Sequence, residues 1–146
     1  MDTAAVLFQS ALDQARETDA ETKVGALLGL GGVERNRQNL GAAELRFTQA
    51  LTLAKTLPPD RVNSRLVGFA YQGRGIVHAQ QGDLDASIDD MGQARVWIQR
   101  SGDLVALAVN GHNLGEAELL RGDYLQALRE YDRSIEKPLN EYFDRY

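Results

Sequence analysis

The residues able to carry acid–base, metal or nucleophilic chemistry are few in this chain, and their spacing does not suit it. His78 and His112 stand far apart, with no His-x3-His pair and no carboxylate–histidine cluster of metal-ligand spacing around them. Gly29-Leu30-Gly31-Gly32 is rich in glycine. A phosphate loop, however, needs a preceding strand and a lysine beside a serine or threonine, and neither accompanies it. Ser10, Ser64, Ser87, Ser101 and Ser134 lack the strand–turn–helix context that exposes a nucleophile. Asp83, Asp85, Asp89 and Asp90 are close together, but the order lacks the turn glycine and closing glutamate of a calcium loop, so capping and solvation account for them. There are no cysteines, which removes disulfides, thiolate zinc sites and thiol nucleophiles together. The chain therefore reads as a protein that is not an enzyme, with no catalytic residues, no bound metal and no cofactor. Trp97 is expected to pack between helices.

Composition narrows the class further. Hydrophobic residues make up 43% and charged residues 25% of the 146, an ordinary balance for a folded domain. The net charge of −5, with 13 arginines against 3 lysines, argues against nonspecific nucleic-acid binding, which rests on neutralising phosphates with a basic surface. No run of about 18 apolar residues is present to span a membrane. Met1-Asp2-Thr3-Ala4 also lacks the basic flank and apolar core of a secretion signal. A cytoplasmic location is expected, with no membrane contact.

The elements that would position any site are helices. Alternating β-branched runs are missing, and three prolines leave long uninterrupted intervals. Ala4, Phe8, Ala11, Leu12 and Ala15 fall on one face of a first helix, and Ala43, Phe47, Ala50, Leu51 and Ala54 repeat the pattern 39 residues later. Between them, Ala20 to about Arg37 reads as a second helix, with Thr18 and Asp19 as caps. Glycines at 25, 29, 31 and 32 make it the least regular one expected, each costing about 1 kcal/mol relative to alanine unless close packing explains it. Pro58-Pro59 stops the third helix. A long helix then runs from Asp60 to Gln81, a further one follows Gly82-Asp83-Leu84, and Asp103 is placed to cap a sixth. After Gly122-Asp123-Tyr124 a seventh carries Ala127, Tyr131, Ser134 and Ile135 until Pro138. Gly31, Gly75 and Gly115 are separated by 44 and then 40 residues, as are Phe47, Met91 and Tyr131, and Ala50, Ala94 and Ser134. Three sets of landmarks in one register make this a repeat.

The repeat resembles the tetratricopeptide repeat, a helix pair with leucine-glycine in its first helix, Gly-Asp-aromatic at the turn, then Ala-x3-aromatic-x2-Ala. The matching residues are Leu30-Gly31, Leu40, Ala43, Phe47 and Ala50; Tyr71, Gly75, Gly82-Asp83-Leu84, Ser87, Met91 and Ala94; and Leu114-Gly115, Gly122-Asp123-Tyr124, Ala127, Tyr131 and Ser134. The period of 40 to 44 exceeds the standard 34. In this it is similar to the repeat regions of bacterial transcription activators of the maltose-regulator type and of related signalling ATPases. Arg74 stands where leucine is usual, and Ser87 and Ser134 where alanine is, replacements read as leaving the pattern intact. The resemblance implies an all-α fold, a right-handed superhelical stack of antiparallel helix pairs with about seven helices. It forms a single domain over 1–146, with a half repeat at 2–17, repeats at about 20–57, 60–101 and 103–137, and a tail at 138–146.

In such stacks the first helices line a concave groove that receives a partner. Carried over by register, the groove residues are Leu28, Arg35, Phe69, Gln72, Ile76, Val109, His112, Asn113 and Glu116. Asn113 matches an asparagine that some members use on a peptide backbone or C-terminal carboxylate. The neighbouring positions of that clamp, here Gly29, Gly73, Gln72 and Ile76, do not match, so chaperone-tail binding is not implied. The resemblance points to a noncatalytic scaffold binding a peptide or protein segment. The alternative is a sensor or regulatory domain of a bacterial signalling or transcription-regulating protein that binds a small effector or peptide. Terminal helices with no polar capping face also suggest self-association or continuation into a longer array.

Overall fold

Local sequence accounts for most of where the helices begin and end. A computed structural model describes residues 2–14, 19–123 and 125–132 of the chain. Six helices follow in order: α1 (Thr3–Gln14), α2 (Ala20–Asn36), α3 (Leu40–Ala54), α4 (Arg61–Gln80), α5 (Leu84–Ser101) and α6 (Leu104–Arg121). Residues 125–132 are the described part of a seventh, α7. No strand occurs among the described residues, and the fold is all-α. The expected Ser134, Ile135 and 138–146 tail lie outside them.

Three aspartates start helices as their positions predict. Asp60, Asp83 and Asp103 each accept a hydrogen bond from the backbone N–H three residues on, at 2.8, 3.1 and 2.9 Å. Each satisfies a donor that the first turn leaves unpaired. Asp19 corrects the expectation for α2, because its side chain makes no capping hydrogen bond; Thr18 lies outside the described residues. The equivalent turn position after each first helix is left-handed. Glycine supplies it at Gly82 (φ +84°) and Gly122 (φ +99°), whereas Gln38 takes it at φ +63°. The non-glycine residue adopts a conformation that costs about 1 kcal/mol.

Packing joins each of α1 to α6 to its neighbour along the chain. In addition α2 touches α4, and α4 touches α6, while α3 and α5 do not meet. The first helices of the three pairs thus lie side by side and the second helices splay apart. A central core of α2, α3, α4, α5 and α6 residues, among them Val24, Leu51, Val67, Ile98 and Leu107, runs through the stack. Trp97 packs half-buried against it, as expected, with the Arg100 guanidinium 4.7 Å from its ring centre.

The small residues mark where helices press together. A Cβ on Gly31 would meet the Phe47 ring at 2.9 Å, and one on Gly115 would meet the Tyr131 ring at 3.1 Å. Phe47 also leans on Gly73 of the following pair, and Phe8 of α1 leans on Gly29 in the same way. This explains two glycines of α2. Gly25 and Gly32 face open space, and the helix still runs unbroken from Ala20 to Asn36 instead of kinking or fraying. Ala43, Ser87 and Ala127 are buried where the second helices approach the first.

Candidate functional site

The surface that α2, α4 and α6 share changes character along the stack. Leu28 is half-buried against both adjoining core clusters, Phe69 against the central core, and Ile76 against Met91, Leu114 and Ala117. Gln72 is half-buried, and its Oε1 has no hydrogen-bond partner. The Arg65 guanidinium lies 5.8 Å from the Phe69 ring centre. Arg35 is half-buried at the end of α2. On α6 the residues stand clear: Val109, His112 and Glu116 are exposed, and Asn113 is half-buried. His112 Nε2 lies 3.6 Å from Glu116 Oε1, and its ring is tilted against Tyr131 at a centroid distance of 5.6 Å. Val105, 76% exposed, extends the α6 surface by one turn. Of the nine residues expected in the groove, four therefore stand together on α6, while Leu28, Phe69 and Ile76 on α2 and α4 are partly taken up by packing.

A second set of groups was not brought together by sequence reasoning. Arg74, taken there as a neutral replacement for leucine, grips Asp90 of α5 with two hydrogen bonds, Nε to Oδ2 at 2.7 Å and Nη2 to Oδ1 at 2.8 Å. Its Nη1 also reaches Thr48 Oγ1 of α3 at 3.4 Å. His78 has its Nε2 3.5 Å from Asp90 and 3.9 Å from Glu44 of α3. Gln81 Nε2 donates to Glu44 at 3.3 Å. The hydrogen bond from Arg74 to Asp90 raises the guanidinium pKa further, burial opposing it. Six polar side chains thus bridge α3, α4 and α5 in the space between the two second helices.

One repeat further on, a different cluster occupies the matching place. Glu118 of α6 and Glu130 of α7 are 4% and 2% exposed, two carboxyl groups in one buried region. Arg95 of α5 forms an ion pair with Glu130, and Gln126 Nε2 donates to Glu130 Oε1 at 3.0 Å. Burial, reinforced by the negative charge of Glu130, pushes the Glu118 carboxyl up to about 7, against the pull of Arg95 and Arg121. Asn110, fully buried, donates from Nδ2 to the Met91 carbonyl at 3.0 Å and ties α6 to α5.

A signal for these groups was present in the repeat register. Glu34, His78 and Glu118 are separated by 44 and 40, and so are Arg46, Asp90 and Glu130. Charged or titratable residues thus recur at two positions beside the small and aromatic ones. Among the described residues, no three His, Cys, Asp or Glu side chains are placed to hold a metal ion, and no helix is long and apolar enough to cross a membrane.

Comparison with known proteins finds no matching family model and no matching curated protein. Among solved structures the chain is similar to the crystal structure of BtubC (BKLC) from P. vanneervenii. The TM-score is 0.78 at 20% identity, over 97% of this chain. At that identity the likeness shows the fold alone. The chain spans 57% of the length of that structure.

Proposed function

We propose that this protein is a noncatalytic scaffold of tetratricopeptide type. In this reading it binds an extended peptide or protein segment along the face shared by α2, α4 and α6. The observation that carries the reading is the helix arrangement: first helices in mutual contact, second helices apart. Such an arrangement turns one row of helices towards a common inner surface. On that surface α6 offers Val109 beside the hydrogen-bonding groups of His112, Asn113 and Glu116, an apolar anchor with polar groups around it of the kind peptide recognition uses. A cytoplasmic location, and no nucleic acid or membrane among the partners, belong to the same proposal.

The test is selection from a library of displayed extended peptides. Enriched peptides are expected to lose roughly tenfold or more in affinity when Val109→Glu and Asn113→Ala are combined, with the helical circular dichroism unchanged. Enriched peptides that bind the double variant as well as they bind the parent would overturn the assignment of this face.

A further inference from the structure

The space between the second helices α3 and α5 is filled from within, but the matching space between α1 and α3 is not. A cleft of about 500 Å3 opens there over the C-terminal half of α2, floored by Leu30 and walled by Val6, Asp13, Glu34, Arg37 and Arg46. The register compares the two places residue by residue. Leu30, Glu34, Arg37 and Arg46 each stand 44 positions before Arg74, His78, Gln81 and Asp90, and Ala5 stands 39 before Glu44. The residues that close the later gap are therefore the counterparts of those lining the earlier one. Two exchanges undo the closure. Leu30 replaces the arginine that spans the gap, and Ala5 replaces the glutamate that received His78 and Gln81.

The charges in the open cleft are unequally satisfied. Asp13 is engaged by Gln9 Nε2 at 2.8 Å, and Glu34 by Asn39 Nδ2 at 2.9 Å. Arg37 has only a loose contact, 3.7 Å, with exposed Asp2. Arg46 is half-buried and, among the described residues, makes no hydrogen bond or ion pair. A half-buried guanidinium with no acceptor favours a carboxylate, which it can bind through two parallel hydrogen bonds. In the next repeat Arg74 receives that carboxylate from Asp90 of its own chain. We infer that the cleft between α1 and α3 is a binding site for an acidic peptide, whose carboxylate pairs with Arg46 and Arg37 while an adjacent aliphatic side chain rests on Leu30 and Val6. The site is separate from the α2–α4–α6 face and does not depend on that assignment.

The probe is acetyl-Leu-Glu-Glu-Leu-amide titrated into the full isotope-labelled chain, with acetyl-Leu-Gln-Gln-Leu-amide and glutarate as controls. Saturable amide and Arg Nε–Hε shifts at Leu30, Glu34 and Arg46 are expected with the acidic peptide. Affinity is expected to fall roughly tenfold for the glutamine peptide, for glutarate, and for Arg46→Gln. The fold of that variant is checked by its unchanged spectrum away from the cleft. Equal binding of the acidic and glutamine peptides, retention of binding by Arg46→Gln, glutarate binding as tightly as the peptide, or shifts confined to α6 would each overturn the inference.

Discussion

Gly73→Ala is expected to destabilise the protein by about 3 kcal/mol, although alanine is the better helix former by about 1 kcal/mol. The reason is the position of Phe47. Its ring lies so close to Gly73 that a Cβ there would sit well inside van der Waals contact, and a Cβ on Gly31 would meet the same ring at 2.9 Å. Phe47 is 4% exposed, so the ring cannot retreat to solvent, and its close contact with Gly31 as well leaves it little room to shift. Interiors packed this closely answer added volume with strain. Gly32→Ala is the matched control. A Cβ on Gly32 would have nothing within 4 Å, and a gain of up to about 1 kcal/mol is expected from helix propensity and the less flexible unfolded chain. Urea unfolding followed by circular dichroism separates the two substitutions. Combining Gly73→Ala with Phe47→Leu is expected to show a favourable coupling of about 1 kcal/mol or more, since the shorter side chain relieves the clash. Additive losses in that cycle would mean that the aromatic is not what presses on Gly73.

Glu118 gives the second large effect, and it depends on pH. The folded carboxyl holds its proton up to about 7, against an ordinary value of 4.5. As pH rises from about 4.5 to 7 the unfolded chain releases this proton while the folded chain keeps it. Glu118 then contributes a loss of stability across that window, level on either side of it. A shift of this size corresponds to at most about 3 kcal/mol, less whatever water reaching the carboxyl screens away. The groups facing Glu118 are Glu130 from α7, Arg95 from α5, and Arg121 and Asp123 at the end of α6. Glu118→Gln keeps the shape without the charge. The variant is expected to match the parent near pH 4.5 and to exceed it by about 2 kcal/mol at pH 8, read as the difference in denaturation midpoints at each pH. Taking the difference between the two proteins cancels the titration of the many surface carboxylates. A constant difference across the range would place the Glu118 carboxyl in ordinary solvent.

How much of this was legible beforehand follows from the range of the interactions. Helix positions, the aspartate caps at 60, 83 and 103, and the glycine–aromatic register are written in short spans of chain, because a helix is built from bonds four residues apart and a repeat restates the same contacts. The all-α class and the packing of Phe47 on Gly31 and of Tyr131 on Gly115 follow from that alone. Even here Asp19 looked like a cap and is not one, since its side chain makes no hydrogen bond to the first turn of α2.

The polar groups were a different matter. Arg74 finds Asp90 across 16 residues, and Arg95 finds Glu130 across 35. Whether such pairs meet depends on how each helix is rotated about its axis, which the apolar contacts decide, and spacing along the chain is silent about it. The groove residues show the same limit. Register places Leu28, Phe69 and Ile76 in line with Val109, yet the amount of each left uncovered depends on the closeness of the neighbouring helices. By itself the sequence determined the helices, their pairing and the small residues that let them touch. Only the tertiary structure decided which charges are shared between helices, and that the space between α1 and α3 stays open where the next one along the stack is closed, because those outcomes rest on side chains meeting across three helices at once.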